Sequence, residues 1–101
     1  FIPDCGSMSI MLKNATGKEP FFIGKPQPIM VDCVLKNTGC SAGEAVIVGD
    51  RLYTDIATGK NAGVDAICVL SGEATLKDIE DGDIKPDFLF RDVKEIWQKL
   101  R

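Results

Sequence analysis

Short apolar runs alternate along the chain with segments in which apolar residues recur every three or four positions. The runs are rich in β-branched and aromatic residues and are bounded by turn residues, so they predict buried strands. The predicted strands are 21–24, 45–49, 66–70 and 87–90. Strands that alternate with helices indicate an α/β fold with a parallel sheet and right-handed crossovers.

The segments with helical spacing predict helices between these strands, and a glycine ends each of the first three. They cover residues 6–15, 28–38 and 54–62, a short helix near residue 75 and a closing helix after residue 92. Asp92 and Glu95 have the spacing of a capping box for the closing helix. Trp97, the only tryptophan, is expected to anchor an apolar stripe of that helix against the sheet.

Composition narrows the class of protein. The chain of 101 residues is 45% hydrophobic and 27% charged, which is typical of one small soluble globular domain. The formal net charge of −3 gives no basic surface for nucleic acid, and no apolar stretch is long enough to span a bilayer. We therefore expect neither a nucleic acid nor a membrane as a partner.

Cysteine usage favours a reduced, cytoplasmic protein. The chain has four cysteines, no Cys-x-x-Cys pair and no histidine, which is unlike the usual zinc sites. Cys33 and Cys68 fall in apolar patterns and are expected to pack as small hydrophobic residues.

Two carboxylates follow the second predicted strand. The run Val46-Ile47-Val48 stops at Gly49-Asp50, and Asp55 lies five residues later, where a helix should begin. Open α/β sheets bind ligands at the carboxyl ends of their strands, and carboxylates are hard oxygen ligands suited to Mg²⁺. The pattern alone fits equally well a strand-to-helix loop with an acidic first helical turn.

A lysine upstream changes this balance. Lys25 follows an apolar run that ends in Gly24, and one helix and one strand fit between Lys25 and Asp50. Lys25 would then return to the same edge of the sheet, where its charge could neutralise a phosphate and keep an acid ionised. A lone Gly-Lys-Pro is weak evidence because most lysines simply lie on the surface. When Gly-Asp-x-x-x-x-Asp follows it in the chain, Gly-Lys-Pro becomes strong evidence for a functional site.

In this order the motifs resemble the haloacid dehalogenase (HAD) superfamily of phosphohydrolases, and most closely its NagD-like branch, which includes 4-nitrophenylphosphatases. The resemblance covers nearly the whole chain. Its matching segments are Ile23-Gly24-Lys25-Pro26, Val48-Gly49-Asp50-Arg51, Thr54-Asp55-Ile56, Asn61-Ala62-Gly63 and Val69-Leu70-Ser71-Gly72. It implies that residues 25–101 form the carboxyl-terminal half of a Rossmann-like core and that residues 1–24 are the tail of an α/β cap domain.

The resemblance also implies a chemistry. The activity would be Mg²⁺-dependent hydrolysis of phosphate monoesters through an aspartyl-phosphate. The substrate would be a small phosphorylated metabolite. Asp50 corresponds to the acid that ligates Mg²⁺, and Asp55 to the second acid, which supports the metal shell and holds the lysine. Lys25 corresponds to the lysine that steadies the nucleophile and the transferring phosphoryl group.

The nucleophile motif of the superfamily, Asp-x-Asp-Gly-Thr, does not occur in the chain. Asp81-Gly82-Asp83 has the spacing of its two acids, but no apolar strand precedes it and no Gly-Thr follows it. We therefore expect the carboxyl-terminal part of a longer enzyme, inactive alone. Its expected partner is the missing amino-terminal half of the core, or a second copy bound through an open sheet edge at 45–49.

Two other classes of function remain as alternatives. One is a non-catalytic Rossmann-like module that binds phosphate or another chain. The other is an oxidoreductase-type nucleotide binder, which the lack of a Gly-rich loop between strand and helix disfavours.

Overall fold

Three parallel strands with helices around them form the architecture, which confirms the predicted α/β class. The computed structural model describes residues 3–101. The strands are β1 (Val46–Gly49), β2 (Asp65–Val69) and β3 (Phe88–Phe90), and the helices are α1 (Cys5–Thr16), α2 (Ile29–Thr38), α3 (Ala57–Ala62), α4 (Leu76–Asp81) and α5 (Val93–Lys99). A single 3₁₀ turn (Ala42–Glu44) precedes β1, and a π-helical turn (Leu52–Ile56) leads into α3.

The sheet has the strand order β1-β2-β3, and both pairs are parallel. Gly49 lies opposite Cys68, so the carboxyl end of β1 meets that of β2. The loops that follow these two strands therefore lie at one edge of the sheet, as the sequence predicts.

The core of the described chain is small and centres on β2. Its buried apolar residues are Ile56, Val64, Ala66, Cys68, Val69 and Ala74. Helix α3 packs directly on the sheet through Gly59, where an added Cβ would come within 2.6 Å of Ile47 Cγ2 and 2.9 Å of Ala66 Cβ. Burial of Cys68 confirms the packing role predicted for that cysteine.

The helix boundaries follow the predicted signals closely. Helix α2 ends at Gly39, whose φ of +73° is the left-handed conformation that favours glycine. Asp92 caps α5 by accepting the N–H of Glu95 at 2.8 Å. The Glu95 carboxylate accepts the N–H of Arg91 and not that of Asp92, so only half of the predicted capping box forms.

Residues 21–24 form no strand, so that prediction is wrong. The segment is irregular and pairs with no strand of the described chain, and Phe21 is 80% exposed. An apolar run becomes a strand only where a neighbouring strand can take up its backbone N–H and C=O groups.

Two packing predictions are also wrong. Trp97 is 56% exposed, with the guanidinium of Arg101 4.6 Å from its ring centroid, and Cys33 is exposed on α2. The helical periodicity that placed both residues on apolar faces is correct. Among residues 3–101 the neighbouring elements leave these two side chains unburied, so both remain largely in solvent.

The outline of the molecule reflects this incomplete cover. The radius of gyration is 16.0 Å, against about 13 Å for a compact domain of this length. Helix α1 has no buried residue, and β1 pairs only with β2, which leaves its other edge open among the described residues. None of the described helices has the length and apolarity needed to cross a membrane.

Candidate functional site

Asp50 lies at the carboxyl end of β1 and is fixed by the loop that follows β2. The N–H of Glu73 donates to Asp50 Oδ2 at 2.8 Å, and the N–H of Ala74 donates to the Asp50 carbonyl at 2.8 Å. Gly72 permits this approach, because a Cβ there would lie 2.1 Å from Asp50 Oδ2. The contact occupies one carboxylate oxygen and leaves Oδ1 as the oxygen that could face a cation.

Asp55 is the buried acid of the site. The π-helical turn holds it at 7% exposure, and its Oδ2 accepts the N–H of Arg51 at 3.2 Å. Gly49 makes room for it, since a Cβ at that position would lie 2.2 Å from Asp55 Cβ. A buried carboxylate requires a compensating charge.

Lys25 provides that charge. Its Nζ lies 2.5 Å from Asp55 Oδ1, and its side chain is 52% exposed. The loop that carries it is anchored to α3, because Asn61 Nδ2 donates to the carbonyl of Pro26 at 2.8 Å. The structure thus brings Lys25 to Asp55 as the sequence predicts, although from a loop and not from the end of a strand.

A network around Glu73 forms part of the same edge, and sequence analysis missed it. Glu73 Oε2 lies 2.6 Å from Arg51 Nε, and Glu73 Oε1 accepts the hydroxyl of Tyr53 at 2.7 Å. These side chains line a cavity of about 220 Å³. The position of Glu73 in the sequence could have indicated its role, because it follows β2, whose carboxyl end lies beside that of β1.

Local charges shift the pKa values of two members of this network. The carboxylate of Glu73 raises the pKa of the Arg51 guanidinium, and the hydrogen bond to Glu73 raises the pKa of the Tyr53 phenol. Beneath the site, burial raises the pKa of the Cys68 thiol, and the charges of Asp50 and Asp55 add to the effect. Cys68 is therefore a neutral packing group at neutral pH.

Glu73→Gln should lower the pKa of Tyr53 towards its ordinary value, because an anionic acceptor stabilises the neutral phenol more than an amide does. Tyr53 is the only tyrosine, so the ultraviolet absorbance of the phenolate reports its titration directly. Glu80→Gln removes the same charge from α4 and should leave the midpoint unchanged. An unaltered midpoint in Glu73→Gln would contradict the observed hydrogen bond.

The donor chemistry at this edge is that of a partial site for a hard divalent cation. Residues 3–101 contain no cluster of three or more His, Cys, Asp or Glu side chains able to hold a metal ion. Asp50 offers one carboxylate oxygen, whereas Asp55 is already bound to Lys25. Since Mg²⁺ takes six oxygen ligands and keeps several waters, Asp50 fits as one ligand among several.

The match to a family of known proteins covers most of this architecture. The model of the HAD-hydrolase-like family matches residues 22–96, which include the lysine, both acids and the three strands. The chain belongs to this family. Membership of the HAD-hydrolase-like family confirms the resemblance from which the fold was predicted.

Named relatives agree with this assignment. The chain is 38% identical over 96 residues to the ribonucleotide monophosphatase NagD of Escherichia coli K12, covering 95% of this chain and 38% of that protein. It superposes with a TM-score of 0.86 and 40% identity on a 4-nitrophenylphosphatase from Thermotoga maritima, covering 99% of this chain and 39% of that one.

A third HAD relative has a metal in its crystal structure. This glycerol phosphate phosphatase from Mycobacterium tuberculosis, in complex with magnesium, superposes with a TM-score of 0.79 and 32% identity, covering 94% of this chain and 29% of that one. The chain thus spans well under half the length of each of these relatives.

Proposed function

We propose that this chain supplies the lysine and acid part of a Mg²⁺-dependent phosphatase site that hydrolyses small phosphate monoesters. The observation that carries the proposal is the contact of Lys25 Nζ with Asp55 Oδ1, 2.5 Å long, at the sheet edge where Asp50 follows β1. The relatives named above are phosphatases, which supports a phosphate ester as the substrate class.

Each of the three side chains has a distinct role in the proposal. Lys25 places a positive charge where phosphoryl oxygens would bind, and Asp55 holds that ammonium in position. Asp50 would ligate the cation, and Mg²⁺, when bound, would neutralise charge that develops on the transferring phosphoryl group. The mycobacterial relative is in complex with magnesium, which supports a divalent cation in the proposal.

The proposal assigns the nucleophile to an aspartate outside these 101 residues. Asp81 is the last residue of α4, and Asp83 lies in the loop that follows, so the pair does not follow a strand. This position agrees with the sequence evidence that Asp81-Gly82-Asp83 is not the nucleophile motif. Residues 25–101 would then be half of the hydrolase core, and residues 1–24 the end of its cap.

The isolated chain should show no phosphatase activity, because it lacks the Asp-x-Asp-Gly-Thr motif that supplies the nucleophile in the superfamily. The test is an assay of the purified 101-residue chain with Mg²⁺ and 4-nitrophenyl phosphate, beside an Asp50→Ala control. Equal release of nitrophenol from both proteins is expected. Turnover above that of the control would show that the chain contains its own nucleophile.

One observation favours the second candidate, a non-catalytic interaction module. An apolar groove of about 220 Å³ lies along β1 and α2, and its lining includes Met30, Val34, Val46, Ile47 and Val64. Such a module would bind a partner chain in this groove, and Asp50→Asn, which lies outside the groove lining, would leave its binding unchanged. In a phosphatase Asp50→Asn would instead raise the Mg²⁺ concentration needed for half-maximal activity, so this substitution discriminates between the two functions.

A further inference from the structure

Glu73 connects three parts of the site at once. Its backbone N–H donates to Asp50 Oδ2 at 2.8 Å, its Oε2 lies 2.6 Å from Arg51 Nε, and its Oε1 accepts the Tyr53 hydroxyl at 2.7 Å. The backbone and both carboxylate oxygens of this one residue are therefore engaged by the loop that carries Asp50.

Arg51 is the reason why this arrangement matters for a cation site. It follows Asp50 directly in the chain and its side chain is 52% exposed, so its guanidinium is free to turn unless another group holds it. An arginine fork binds carboxylates through paired, charge-assisted hydrogen bonds. A released Arg51 would thus compete with a divalent cation for the Asp50 carboxylate.

We propose that Glu73 is a positioning residue that keeps Asp50 open to a divalent cation by holding Arg51 away from it. The backbone contact directs Oδ2 towards the loop and leaves Oδ1 for the cation, while the side chain pairs with the competing guanidinium. This inference rests on the proposed function, because it assumes that Asp50 is the ligand of a metal.

Mn²⁺ is a suitable probe because its paramagnetic broadening of amide signals reports even weak binding and locates it. The 101-residue chain is titrated with MnCl₂, and broadening is followed at the amides of Asp50, Arg51 and Glu73. Glu73→Gln should weaken the apparent affinity about threefold, in keeping with the modest strength of a half-exposed ion pair. Glu80→Gln, which removes the same charge from α4, should change it less than about 1.5-fold.

The double variant Arg51→Gln/Glu73→Gln separates the positioning role from a merely structural one. Removing the competing guanidinium should restore the affinity to within about 1.5-fold of that of Arg51→Gln alone. If Glu73→Gln does not fold, Glu73→Asp replaces it. Its side chain keeps the charge but is too short to hold Arg51, and the same threefold loss is expected.

The outcomes distinguish this inference from the metal site on which it depends. Broadening that Asp50→Asn abolishes and Glu73→Gln leaves unchanged would overturn the role of Glu73 alone. A loss in Glu73→Gln that the double variant does not recover would show that Glu73 only stabilises the loop, and would also overturn it. Local broadening that Asp50→Asn leaves unchanged would refute Asp50 as the metal ligand and this inference together.

Discussion

Lys25→Ala should lower turnover on the order of 100-fold, as the loss of a group that stabilises developing charge does. The change leaves the buried Asp55 without its cation and the phosphoryl oxygens without a counter-charge. Asp50→Asn should act differently, raising the Mg²⁺ concentration needed for half-maximal activity on the order of 100-fold. Loss of a direct metal ligand should lower metal affinity at least as much as loss of a residue that only hydrogen-bonds to a ligand.

A hybrid enzyme provides the setting for this measurement. In it, the chain replaces the matching 39% of the Thermotoga maritima 4-nitrophenylphosphatase, with which it shares 40% identity. Lys36→Ala on α2 and Asp83→Asn after α4 are matched controls, since each removes the same charge outside the site. Full activity of both site variants at limiting Mg²⁺ would show that the motif assignment is wrong.

The open edge of β1 should make the isolated chain associate. β1 pairs with β2 alone, and Val46 and Val48 remain 51% and 44% exposed. Unpaired apolar edges recruit other strands, and a lysine on such an edge prevents pairing. Val46→Lys should therefore weaken self-association by about tenfold or more, because it would leave an unpaired charge in a partly buried interface.

Sedimentation or light scattering of the purified chain tests this prediction, and mass spectrometry identifies any co-purified amino-terminal polypeptide. Val93→Lys on α5 is the control, because that side chain is 63% exposed and lies on a helix beside β3 and not on β1. A stable monomer that unfolds cooperatively and exposes no apolar surface to a reporter dye would contradict the prediction.

Features encoded locally were accessible from the sequence. The run that ends at Gly49-Asp50 gave β1, and Gly39 and Gly63 gave the ends of α2 and α3. The order Lys25, Asp50, Asp55 predicted three charged groups at one edge of the sheet, although the strand expected before Lys25 does not form and a loop carries this lysine. All three lie there in the structure, and Lys25 contacts Asp55 directly.

Features that depend on a neighbouring layer were not accessible. The apolar patterns of 21–24 and α5 indicate which side chains of each segment could be buried. They do not indicate whether another part of the protein is present to cover those side chains. Trp97 therefore stays exposed although its helical position was predicted correctly. Glu73 was missed for a related reason, since its contacts to Arg51 and Tyr53 depend on how the loop after β2 folds onto the loop after β1.

If Lys25, Asp50 and Asp55 belong to a phosphatase site, this chain should complete a phosphatase that lacks its own carboxyl-terminal part. The hybrid with the amino-terminal portion of the Thermotoga maritima enzyme is assayed for Mg²⁺-dependent release of 4-nitrophenol, beside that portion alone. We expect activity in the hybrid, none in the portion alone, and loss of activity in the hybrid that carries Lys25→Ala. A folded hybrid without activity, or one that Lys25→Ala leaves unchanged, would contradict this expectation.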